Sequence, residues 1–196
     1  MIRDRIWQTD PVQDENEDSK LQGCEKKTLH ITLTMHETNE KNGNEKDEDV
    51  MYNQDENRFT QTCTLNLKTF SHYIIAVDVH EDEKLEHVTL GRKTYFNMVQ
   101  QQPGKEFFYV TENPDKQTRS FAFVYSTDKI RATDRHHRTV LPCSMKLEGF
   151  GELKFNLLVN FCHSNKKDHL AGVPLKVIDI DATFGNETTL DSISYG

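Results

Sequence analysis

Long apolar runs are missing from this 196-residue chain. No stretch approaches the roughly 18–20 consecutive apolar residues that a helix needs to cross a bilayer. The opening MIRDRIWQTD also lacks the apolar core of a secretory leader. The expectation is a soluble chain that stays in the cytoplasm, so the glycosylation sequon at Asn186-Glu187-Thr188 is read as a chance match. The four cysteines, Cys24, Cys63, Cys143 and Cys162, show no C-x-x-C spacing, which points to reduced thiols rather than a disulfide or zinc framework.

Catalytic signatures are scarce as well. No serine sits in a G-x-S-x-G turn, and no cysteine has a readable histidine partner. Gly149-Phe150-Gly151 lacks the Lys, Ser or third Gly of a phosphate-binding loop. With no assembled acid, base or nucleophile, no enzyme is expected and no cofactor is implied. Nine histidines invite a metal reading. However, Cys162, His163 and His169 match no zinc spacing, and His136-His137 lie between Arg135 and Arg138, whose charges oppose a cation. A net charge of -8 without an aromatic and basic platform argues against nucleic acid.

What the chain does have is charge unevenly placed. Residues 1–56 carry 15 acidic and 7 basic side chains, whereas residues 57–196 balance. The first 28 residues have too little apolar content to offset the entropy of ordering them, and they read as a disordered acidic tail. A β-domain is expected over 29–188, with 189–196 as a C-terminal tail. Residues 37–49, rich in Glu, Asp, Asn and Lys, read as a solvated loop.

The strand signal is clearest in 153–181. Leu153, Phe155, Leu157, Val159 and Phe161 alternate with residues of the opposite face, the period-2 pattern of a strand with one side on a core. Polar residues 163–172 read as a loop. A second strand should start at Pro174 or lie at an edge, because Pro174 has no N–H to give a central ladder. Its alternation shifts by one residue between Val177 and Ile178, as at a bulge or in a strand buried on both faces. Leu29, Ile31, Leu33 and Met35 mark an earlier strand, and Tyr73, Ile75, Val77 and Val79 another. About nine short strands and no convincing helix predict an all-β antiparallel sandwich or flattened barrel.

One local charge feature stands out. Lys129, Arg131, Arg135 and Arg138, with His136 and His137, form a basic stretch, and Lys166 and Lys167 add a pair in the loop after the main strand. If both loops lie at one end of the sandwich, they make a docking site for an acidic or phosphorylated peptide. The plainer alternative is a solvated loop that balances acidic residues elsewhere.

Two stretches carry a resemblance. Tyr52, Asp55, Arg58-Phe59, Gln61, Thr64, Leu67, Thr69, Ser71, Tyr73 and Val77 form one, and Val159, Phe161, Lys167-Asp168-His169, Pro174 and Val177-Ile178 the other. With Met145, Gly151 and Asn186-Glu187-Thr188 at similar places, the chain resembles the cannabinoid receptor-interacting protein family over roughly 29–188. The resemblance implies a cytosolic, non-enzymatic, immunoglobulin-like sandwich similar to the Rho GDP-dissociation inhibitor. It implies binding to the cytoplasmic tail of the type-one cannabinoid receptor or an equivalent receptor, recruitment to the plasma membrane by that partner, and modulation of coupling to inhibitory G-protein alpha subunits. The alternative is a carrier that shields the lipid of an acylated or prenylated protein inside the sandwich. The acidic tail, the extended 37–49 loop and a divergent middle set this chain apart from the family pattern.

Overall fold

The computed structural model describes residues 26–38, 48–54, 63–80, 83–97, 106–113, 118–134, 137–163, 165, 167–185 and 187–196, with backbone alone at 97, 106–113, 118, 119, 167 and 168. The acidic tail up to residue 25 and most of the 37–49 loop lie outside these residues.

Alternation builds the strands as expected. In β1 (Lys27–Thr38) Leu29, Ile31, Leu33 and Met35 are buried while the intervening Thr and His residues face outward. The same rule gives β5 (His72–His80) and β11 (Glu152–Cys162) their inner faces. β1 pairs antiparallel with β5 and with β13 (Ile178–Phe184), and β5 pairs with β9 (Thr118–Ser126). Adding β8 (Glu106–Asn113), β14 (Thr189–Tyr195) and the short β2 (Glu48–Asp49) completes one layer. The other layer runs β12 (Val173–Pro174), β3 (Met51–Gln54), β4 (Cys63–Lys68), β11, β10 (Thr139–Leu147), β6 (Leu85–Leu90) and β7 (Lys93–Asn97). A parallel β7–β8 pairing joins the layers along one side, and the sheet path does not close into a barrel.

The core lies between the layers. Tyr95 on β7 stacks on Phe123 of β9 across it, with centroids 4.1 Å apart. Phe184 of β13 meets Phe150 edge-on. Such aromatic pairs add to the stabilisation that area burial supplies.

The β-sandwich stands, with three differences. The described residues form fourteen strands rather than nine, and the sheet is mixed, because β4 pairs parallel with β11 as well as β7 with β8. The strand expected to run from Pro174 through Ile180 is two strands in different layers. β12 belongs to the edge beside β3, and residues 175–177 cross to the other layer before β13 begins. The shifted alternation therefore marks a change of sheet. Finally, residues 189–195, read from the sequence as tail, form β14, paired with β13 through a bulge.

Candidate functional site

Both basic loops leave from one end of the sandwich. β11 fixes the geometry: its Val159 lies opposite Thr139, where the 127–138 connection enters β10, and its last residue, Cys162, lies beside Lys68 at the end of β4. The turn between β4 and β5 sits at this same end.

Two threonines hold the 127–138 connection there. Thr127 is fully buried, and its N–H donates to Ser71 O at 2.9 Å. Its hydroxyl accepts from Ser71 N at 2.9 Å and donates toward Lys68 O at 2.8 Å or Ser71 O at 3.0 Å. Thr133 exchanges two bonds with Phe161: its N–H donates to Phe161 O at 2.8 Å, and Phe161 N donates to its hydroxyl at 2.9 Å. Between them Ile130 packs against the core. The loop is thus tied on both flanks and presents Lys129 and Arg131 to solvent. We expect Thr127→Val to lower stability by about 2 kcal/mol, because an isosteric methyl leaves buried backbone groups unpaired. A denaturant midpoint equal to that of the parent chain would count against this clamp.

The β4–β5 end carries a charge cluster. Lys68 Nζ lies 2.8 Å from Glu37 on β1 and 2.8 Å from Glu48 on β2, which ties the two layers together. Burial disfavours the ammonium, but hydrogen bonds to Glu37 and Glu48 outweigh it and hold Lys68 above its ordinary pKa. The hydrogen bond from Lys68 holds Glu48 below the usual carboxylate range. Lys68 N donates to the Tyr73 hydroxyl at 2.6 Å, and burial, reinforced by Glu37, pushes that phenol far up. Farther along, Asn160 Nδ2 donates to Asn66 Oδ1 at 3.1 Å and Asn66 Nδ2 donates to Ala171 O at 2.8 Å. These bonds tether the loop after β11 to β4.

Of the residues expected to bind a partner, Lys129 and Arg131 are exposed together on the clamped loop. Arg138 is half-buried, its Nη1 donating to His137 O at 3.0 Å. The backbone of Lys167 opens a single 3-10 turn (Lys167–Leu170) at the same end. Arg135 and Lys166 lie outside the described residues. Asp128, an acidic residue within the basic stretch, accepts from the Ser126 hydroxyl at 2.7 Å and lies 3.4 Å from His72. A surface depression of about 360 Å³ lies elsewhere, on the β10–β11 face among Thr89, Pro142, Ser144, Lys154 and Asn156.

Sequence reasoning missed the supporting parts: Thr127, Thr133, Lys68, Glu37 and Glu48. Thr69, Ser71, Tyr73 and Phe161, which carry the resemblance, turn out to be members of the same hydrogen-bonded end. Thr69 N donates to Cys162 O at 2.9 Å. A family model described as CB1 cannabinoid receptor-interacting protein 1 matches residues 25–195. The chain belongs to that family. No curated protein matches it. The family match spans every described strand from β1 to β14, so the clamped end lies within the region that defines the family.

Proposed function

We propose that this chain is a cytoplasmic, non-enzymatic interaction protein that binds the cytoplasmic tail of a cannabinoid-type receptor through its loop end and modulates that receptor's signalling. Family membership supplies the partner class. The observation that carries the site is the double clamp, which holds Lys129 and Arg131 on a loop whose backbone is fixed at Thr127 and Thr133. Cations held on a fixed loop lose less entropy when they meet a carboxylate or phosphate than cations on a free chain. An inhibitory G-protein alpha subunit fits the same reading as a downstream partner of the receptor.

The test is titration of the full chain against a labelled receptor-tail peptide at two salt concentrations. Lys129→Glu with Arg131→Glu should weaken binding about tenfold at low salt and less at high salt, as screened surface charges do. Unchanged affinity in the double variant would remove the docking site from this loop. Failure of the parent chain to bind the tail would remove the receptor reading itself.

A further inference from the structure

The turn that Thr127 grips displays something the receptor reading does not use. Phe70 has φ +58°, a left-handed conformation that L side chains other than Asn and Asp seldom adopt, and its side chain is 69% exposed. Turns of this kind ordinarily carry glycine. Here the flanking bonds over-determine the strained backbone: Thr69 N to Cys162 O, Phe70 N to Thr127 O at 3.4 Å, and Ser71 N to Thr127 Oγ1. Strain maintained by its surroundings, together with a large apolar side chain held in water, points to a role for the ring outside the fold.

The charges around it are sorted. Glu37 and Glu48 share Lys68, Asp49 is taken by Lys176 at 2.7 Å and faces His36, and Asp128 accepts from the Ser126 hydroxyl and lies 3.4 Å from His72. Asp134 is exposed. Lys129 and Arg131 are exposed on the connection bonded to the Phe70 turn, and among the described residues neither is in an ion pair. Leu170, in the 3-10 turn against β4, is 52% exposed.

We infer that this end of the sandwich docks on an anionic lipid surface, with Phe70 entering the interface and Lys129 and Arg131 meeting the headgroups. For Phe70 the geometry favours a bilayer over an added peptide strand. β4 is flanked by β3 and β11, and β5 by β1 and β9, so neither strand beside the turn offers a free edge for an added strand. The surface depression lies on another face. An aromatic ring on a turn tip and two unpaired cations on the connection bonded to that turn supply the two contributions, apolar insertion and attraction to anionic headgroups, that interfacial binding draws on. Docking of this kind draws on the same Lys129 and Arg131 that the receptor reading uses, so an anionic surface and a receptor tail would compete for them, whereas Phe70 serves the surface alone.

The test is co-sedimentation of the full chain with vesicles of phosphatidylcholine alone or with phosphatidylserine, with no receptor peptide present. Binding to the anionic vesicles should exceed binding to the neutral ones. Reversing Lys129 or Arg131 to Glu should lower it about fivefold each. Phe70→Gly should lower it about tenfold by removing the apolar contribution. Because glycine suits a left-handed φ, this variant should keep the parent's thermal stability, which separates lost docking from lost folding. Equal binding to both vesicle types, or Phe70→Gly binding like the parent, would overturn the inference. So would absence of vesicle binding combined with a Phe70-dependent affinity for an acidic peptide, which would assign the ring to a protein partner.

Discussion

Replacing Lys68 with Met should destabilise the fold by about 3 kcal/mol, the effect expected when one partner of a buried ion cluster is removed and the other left unpaired. Glu37 is only 7% exposed, and without Lys68 its carboxylate would sit near Glu48 with no cation between them. The methionine fills similar volume, so the loss reports charge rather than a cavity. Adding Glu37→Gln to Lys68→Met should recover part of the loss, since it removes the stranded charge. The pH dependence has a definite sign. Lys68 is raised above its ordinary 10.5, so its contribution is fully present below that pH and fades as pH rises through the folded-state value. Glu48 is lowered below its ordinary 4.5, so its contribution is present above that pH and fades as pH falls through the folded-state value. Denaturant midpoints of parent and variant should therefore differ most between about pH 5 and 10 and converge toward either extreme. A gap that stays constant from acid to alkali would show that the cluster does not act through charge.

The same cluster shows what a sequence conceals. β1, β5 and β11 are legible because each buries one face, and alternation records burial directly. β14 is not, because an edge strand whose residues are mostly exposed leaves little apolar pattern: only Ile193 and Tyr195 pack against the core. The change of layer at residues 175–177 does leave a mark, the shifted alternation, but a bulge leaves the same one. Parallel pairing of β4 with β11 is invisible locally, since nothing in CTLNLK specifies a partner some ninety residues away.

The candidate site divides along the same line. Lys129, Arg131 and Arg138 can be found by charge because they are near one another in the chain. Lys68 meets Glu37 and Glu48 only after two sheets have packed, and the threonine clamps are ordinary residues until their distances are known. Phe70 is the extreme case. A left-handed turn is usually signalled by Gly or Asn, so an aromatic there conceals both the turn and its own exposure.

Gly172 carries the other large expected effect, and it bears on how the second basic loop is held. Its φ of +113° belongs to glycine, and a Cβ there would run into the backbone carbonyl of Tyr52 and approach Asn53 Oδ1 to 2.6 Å. The contact exists because β12 follows at once, with Val173 opposite Tyr52, and Leu175 N then donates to Val50 O at 2.7 Å. Gly172→Ala should therefore cost about 3 kcal/mol, the sum of backbone strain and a clash with an atom that cannot swing aside. Because β12 is a two-residue edge strand, the damage should be local first. Amide exchange should accelerate at Leu175 and across β3 while β1 and β5 stay protected. Gly149 is the control: its φ of +79° imposes strain, but a Cβ there meets nothing within 4 Å. Gly149→Ala should cost about 1 kcal/mol with no change in β3 exchange. Equal losses in the two variants would mean that conformation alone matters at residue 172, and that β12 and the basic loop before it do not depend on close approach to β3.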